Sequence, residues 1–204
     1  MAGCHQTQAG TGFDVSPSIK ENQMINLTIV SGSPRQNSLS LRIAKHLHTS
    51  LVGNGRVSAR LLDLREHPLP LLQSVFKSVA ETPDEFKNLA EVVFASDAFI
   101  LVTPEYNGSY SAALKNLLDH FPKQRRKVFG IVTATTGALG GVRAALQLQE
   151  LVYAIFGIGS PYMLVVPHVD KKFGADGELL DIEFKKNIDL FINELLWLAE
   201  RIKE

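Results

Sequence analysis

The chain has 204 residues, 45% of them hydrophobic, with 21 Lys and Arg balanced by 21 Asp and Glu. That length suits one domain with a sizeable core, and the charge balance argues against nucleic acid or a membrane surface as a partner and against a strongly acidic electron carrier. The single cysteine, Cys4, allows neither an intrachain disulfide nor a cysteine-based metal site. No apolar run reaches the roughly 18 residues of a membrane span, and no basic stretch followed by an apolar one opens the chain as a secretory signal does, so a cytoplasmic protein is expected.

Residues 1–24, rich in Gly, Gln, Ser and Thr, read as a flexible extension, and residues 25–204 as a single domain. Within the domain, apolar runs alternate with helical patterns. Asn26–Ser31 reads as the first strand, and Leu39, Ile43, Leu47 and Leu51 then recur at helical spacing. Val57–Leu62 is the second strand, broken by the Pro68–Pro70 region. Thr82-Pro83-Asp84-Glu85 has the form of a capping box opening a helix that runs to about Ala95. Ala98–Thr103, a continuous apolar run, suits a central strand buried on both faces. A helix over Ser111–His120, a strand over Lys127–Thr133 and a helix over Gly140–Ile155 follow, with Gly157 placed to end that helix. Tyr162–Val166 is the fifth strand. Asp181–Lys203 is the last helix, with Phe184, Ile188, Phe191, Leu195, Leu198 and Ile202 on one face.

Strict alternation of apolar strands and helices implies an α/β fold: a doubly wound, five-stranded parallel sheet with helices on both faces. In the order 2-1-3-4-5, a ligand lies beyond the carboxyl ends of the strands near the switch point. Three loops therefore matter. Ser31–Ser40 (SGSPRQNSLS) offers hydroxyls at Ser33, Ser38 and Ser40, an amide at Asn37, a guanidinium at Arg35 and the free N–H groups of a helix start. Such donors suit a phosphate, although the loop read alone serves equally as a polar cap. It is neither a Walker A loop nor GxGxxG. Thr103–Tyr110 (TPEYNGSY) could wall a flat ring with Pro104 and Tyr106 and read its polar edge with Asn107, Gly108 allowing close approach; taken alone it reads more readily as an ordinary turn with Tyr106 packed on the surface. Thr133–Gly141 (TATTGALGG) adds hydroxyls, glycines and another helix start. Three polar, glycine-bearing loops at one sheet edge together imply a bound anionic cofactor.

Elsewhere, His46 and His48 sit two apart on a helix and face different ways, so no metal site is expected. Lys123-Gln124-Arg125-Arg126-Lys127 reads as a solvated basic loop, with contact to a nucleotide 2′-phosphate as the alternative. The helices around Ala112–Phe121 and Val142–Ile155 carry more apolar residues than one sheet face requires, which suggests a homodimer or homotetramer.

Taken in register, GSPRQNS (Gly32–Ser38), PEYNGSYSAALKNLLD (Pro104–Asp119) and GALGGVRA (Gly137–Ala144) resemble the NADPH-dependent FMN reductase family, a flavodoxin-like group that includes quinone, azo-dye and chromate reductases. The resemblance spans about Asn26 to His168. It implies non-covalent FMN, its phosphate held by Ser33, Arg35, Asn37, Ser38 and Ser40. Pro104, Glu105, Tyr106 and Asn107 would lie along the flavin and its ribityl chain, and Thr135 and Gly137 on the ring's other side. The family usually has Ser-Pro-Gly or similar where this chain has Thr135-Thr136-Gly137, so Thr135 keeps the hydroxyl. The implied activity passes hydride from NADPH or NADH through flavin N5 to a quinone, flavin, azo or metal-oxyanion acceptor, with no side-chain catalyst required. A flavodoxin-type electron carrier and a non-catalytic flavin sensor are the competing classes. The first usually carries a TxTGxT loop and an acidic surface, which this chain lacks.

Overall fold

A computed structural model describes residues 24–203. The expected extension over residues 1–24 therefore lies, apart from Met24, outside the described residues. The elements in chain order are β1 (Ile25–Ser31), α1 (Ser40–Leu51), β2 (Val57–Asp63), α2 (Lys87–Ala95), β3 (Ala98–Thr103), α3 (Ala112–Asp119), β4 (Val128–Ala134), α4 (Val142–Ala154), β5 (Ile158–Gly159), β6 (Leu164–Val166), α5 (Val169–Lys172) and α6 (Lys185–Lys203).

All strand pairings are parallel, and the sheet runs β2-β1-β3-β4-β5 with β6 also on β4. Every residue of β3 and β4 is buried. Their side chains divide by alternation between two cores. Ala98, Ile100 and Val102 join α1 and α6 on one face; Phe99 and Leu101 join α2, α3 and α4 on the other. Both faces of the central strands are covered, which is why their sequence is continuously apolar instead of alternating. The expected doubly wound order is the one observed.

The fifth strand is not one segment. Phe129 pairs with Gly159 and Val132 with Leu164, so four residues (160–163) stand opposite only two of β4. Pro161, which has no N–H to donate, falls in this gap, and pairing resumes only at Leu164. The strand expected over Tyr162–Val166 thus starts late and misses its first piece, Ile158–Gly159.

Helix boundaries differ in three places. The capping box at Thr82–Glu85 does not form: Thr82 Oγ1 donates to the Ser78 carbonyl at 2.8 Å, and a 3-10 turn over Asp84–Phe86 leads into α2. At the end of α4 the left-handed residue is Phe156 (φ 60°), not Gly157. The Gly157 N–H reaches the Val152 carbonyl at 2.9 Å and the Phe156 N–H that of Tyr153 at 3.0 Å, which closes the helix in a Schellman arrangement. Gly157 answers a different need, since a Cβ there would sit 2.5 Å from the Phe129 ring. The final helix begins at Lys185, after a 3-10 turn over Ile182–Phe184.

Candidate cofactor cleft

β1, β3 and β4 end side by side, and the loops leaving them enclose a cleft of about 610 Å³. Its lining is Ser33, Arg35, Asn37, Ser38, Leu39 and Ser40 from the first loop, Pro104, Glu105, Tyr106 and Asn107 from the second, and Ala134, Thr135 and Thr136 from the third. Every residue nominated from sequence lies on this surface except Gly137, an exposed residue whose carbonyl accepts from Thr135 Oγ1 at 3.3 Å. Leu39, Ala134 and Thr136 are lining residues that the sequence reading passed over. Two of them look like core positions of a helix and a strand and meet the cleft only because they stand at the element ends.

The first two loops are knit together by a buried network. Thr103 Oγ1 accepts the Ser111 N–H at 3.0 Å, Ser111 Oγ accepts the Leu114 N–H at 3.1 Å to cap α3, and Ser111 Oγ donates to the Gly32 carbonyl. Ser33 Oγ and Tyr106 Oη lie 3.2 Å apart across the cleft, and the Arg35 guanidinium sits 4.5 Å from the centre of the Tyr106 ring. Arg35 is exposed and carries no ion pair among the described residues.

At the start of α1, Ser38 Oγ accepts the Leu41 N–H at 3.2 Å and lies 3.1 Å from Ser40 Oγ, so Ser38 does cap the helix. The backbone N–H groups of Asn37 and Leu39 have no protein acceptor among the described residues. Orphan donors at the positive end of a helix dipole form an anion site.

The second loop is a two-residue hairpin turn. Tyr106 and Ser109 exchange backbone hydrogen bonds at 2.8 and 3.1 Å, with Asn107 (φ 51°) and Gly108 (φ 81°) between them. Two successive left-handed residues are the type I′ pattern that Asn-Gly favours. The backbone conformation by itself calls for Gly108. Glu105 turns away from the loop: its carboxylate accepts from Arg143 Nε at 2.9 Å and from the Ala144 N–H at 3.5 Å, at the first turn of α4. That ion pair spans 38 residues, so a local motif could not reveal it.

In the third loop the Thr135 N–H bonds the Val166 carbonyl at 3.1 Å, and the Thr136 carbonyl accepts from His168 Nδ1 at 2.9 Å. A carbonyl only accepts, so Nδ1 carries the proton. His168 takes a left-handed conformation (φ 50°) to make this contact.

The basic stretch Lys123–Lys127 lies elsewhere. It precedes β4, whose far end forms the cleft, and so occupies the opposite edge of the sheet. Lys127 Nζ donates to the Val93 and Phe94 carbonyls at 2.9 and 3.3 Å, and burial lowers its pKa from the usual lysine value. None of residues 123–127 lines the cleft.

The family model for NADPH-dependent FMN reductases matches residues 25–191. An FMN-dependent NADPH-azoreductase of Staphylococcus aureus is 31% identical over 174 residues, covering 82% of this chain and 92% of its own. Among solved structures, the flavoenzyme FerB, an NAD(P)H:(acceptor) oxidoreductase of Paracoccus denitrificans, superposes with a TM-score of 0.73 at 22% identity, over 87% of this chain and 98% of its own. A flavodoxin variant of Pseudomonas aeruginosa superposes at 0.52 and 19% identity, over 84% and 99% of the two chains, and shares the fold alone. The chain belongs to the NADPH-dependent FMN reductase family, and is an oxidoreductase with FMN as its cofactor and NAD(P)H as its donor.

Proposed function

We propose that the cleft holds FMN with its phosphate at the start of α1 and its ring along the Pro104–Asn107 turn, and that the enzyme reduces small planar acceptors of the azo and quinone kind. The observation that carries this reading is the convergence on one cleft of the Arg35 cation, without an ion-pair partner among the described residues, the free N–H groups of Asn37 and Leu39 and the aromatic Tyr106. The donor set fits a phosphate monoester. Ser33 and Ser40 add hydroxyls, and Glu105, the only carboxylate on the lining among the described residues, is already neutralised by Arg143. The volume lies within the ~300–1,000 Å³ usual for cofactor and ligand sites. Bound FMN supplies two-electron hydride transfer between nicotinamide and acceptor. The chain's own task is to seat the phosphate, orient the ring and leave one face open. An azo acceptor is favoured by the activity named for the S. aureus relative, and NADPH as donor by the family.

The test is to purify the protein, record its visible spectrum, titrate it anaerobically with NADPH and then NADH, and follow turnover on azo, quinone, flavin and chromate acceptors. A folded protein that takes up no FMN overturns the reading.

The polar residues of the second loop divide by role. Glu105→Gln is expected to lower stability by about 1 kcal/mol through the weakened contact with α4 and its dipole, while turnover stays close to wild type. A proton-donating Glu105 would instead lose ~10²–10⁴-fold, so steady-state rates beside a melting curve decide the matter. Asn107→Gly retains the left-handed turn, whereas Asn107→Ala strains it by ~1–2 kcal/mol. If the Asn107 amide reaches the flavin, the glycine variant shifts reduction potential or turnover at unchanged melting temperature. Native values in that variant would make Asn107 scaffold only.

We also propose a cytoplasmic homodimer or homotetramer assembled through α4. Leu139, Val142, Leu146 and Tyr153 are exposed along one stripe of this helix and the turn before it. The large apolar residues of and just after α3 do not reach the surface, since Leu114, Leu117, Leu118 and Phe121 are spent on the chain's own core. Sedimentation equilibrium measures the outcome directly. Among the described residues no helix is long and apolar enough to cross a membrane.

A further inference from the structure

Beyond the cleft lining, an ion pair with a buried carboxylate, Asp63–Arg65, reaches the phosphate loop. Asp63, the last residue of β2, is nearly buried, and both its oxygens are taken by Arg65: Nε lies 3.0 Å from Oδ1 and 2.9 Å from Oδ2, and the Arg65 N–H donates to Oδ1 at 3.1 Å. With its fork held in this way, Arg65 Nη1 donates to the backbone carbonyl of Gln36 at 2.9 Å. Neither Asp63, Arg65 nor Gln36 lines the cleft, but Asn37, the residue that follows Gln36, does.

The peptide unit joining Gln36 to Asn37 is planar and trans, so its C=O and N–H point in opposite directions. Fixing the Gln36 carbonyl toward Arg65, outside the cleft, therefore fixes the Asn37 N–H toward the inside. A cationic donor on the carbonyl also polarises the amide and strengthens the opposite N–H as a donor. We propose that Asp63 and Arg65 form a clamp that presets the Asn37 N–H as a phosphate donor, making Arg65 a positioning residue for the 5′-phosphate of the flavin. This rests on the placement of FMN proposed above. Because the pair is neutral as a unit, it acts by orienting and polarising one peptide and not as a net charge facing the phosphate. That separates it from Arg35, a lone cation at the rim.

Two variants test it by titration with FMN and with riboflavin, which shares the ring and lacks the phosphate. Arg65→Lys keeps the charge but loses the planar fork that serves Asp63 and Gln36 together. Asp63→Asn/Arg65→Met removes the pair without leaving a buried charge. Both are expected to weaken FMN binding about fivefold to tenfold, the equivalent of one charge-assisted or polar hydrogen bond, with riboflavin affinity nearly unchanged. In wild type, inorganic phosphate should shift the Asn37 amide resonance, and the shift should be lost in Arg65→Lys. If the double variant fails to fold, Arg65→Lys and the resonance carry the test. Wild-type binding of FMN together with unchanged affinities and resonance in the variants overturns the clamp alone. A wild type that binds neither flavin overturns the FMN placement and the clamp with it.

Discussion

An Arg35→Ala variant is expected to hold FMN about 1.5–3 kcal/mol less tightly, the worth of a charge-assisted hydrogen bond, or roughly 10- to 150-fold in affinity. The side chain is exposed and stacks 4.5 Å from the centre of the Tyr106 ring. Its removal therefore costs the free protein little stability, since exposed positions away from packed features usually change within ~0.5 kcal/mol. The stack also holds the planar guanidinium ready before the ligand arrives. Arg35→Lys should accordingly recover the charge but not the whole affinity. Fluorescence titration at low and high salt checks the assignment. FMN affinity in wild type should fall with salt more steeply than in Arg35→Ala, while riboflavin shows little difference between the two proteins. Equal FMN affinity in a folded variant would remove Arg35 from the phosphate site.

The sheet was legible because burial on both faces leaves a plain mark: Ala98–Thr103 carries no polar residue before its last position, and β4 beside it carries none before Thr133. The fifth strand was less so. Whether Ile158 and Gly159 pair depends on what β4 presents to them, and nothing in their own pattern announces it. The end of α4 misled for a related reason. Glycine is the usual left-handed residue, but here Gly157 is demanded by the Phe129 ring and Phe156 takes the strained position. In the cleft, residues that meet a ligand from local turns could be named, because turn chemistry and phosphate donors leave short-range patterns. Contacts closed through tertiary structure could not: Glu105 with Arg143, Arg65 with Gln36, His168 with Thr136. The position of Lys123–Lys127 is different again. In a parallel sheet a segment entering a strand cannot stand at the edge where strands end, so topology alone excluded it from the cleft.

Gly140→Ala is expected to damage the protein more than any substitution on the cleft surface. Gly140 has φ 61°, and a Cβ there would lie 2.5 Å from Val165 Cγ1 and 2.8 Å from the backbone nitrogen of Pro167. The first contact is with a branched side chain on β6 and the second with main chain that cannot rotate away. Overpacking of this kind costs ~1–3 kcal/mol, and the left-handed conformation adds ~1–2 kcal/mol for a residue bearing a Cβ. Relief requires the turn between β4 and α4 to move, and that turn carries Thr135 and Thr136 on the cleft side and the helix start gripped by Glu105 on the other. Urea unfolding should show the midpoint lowered at little-changed slope, and flavin should be retained poorly. Because the third loop is placed at the ring and not at the phosphate, FMN and riboflavin should lose affinity to a similar degree, the reverse of the Arg35→Ala pattern. A variant as stable as wild type would show that the loop yields easily, and a loss confined to FMN would place this loop at the phosphate instead.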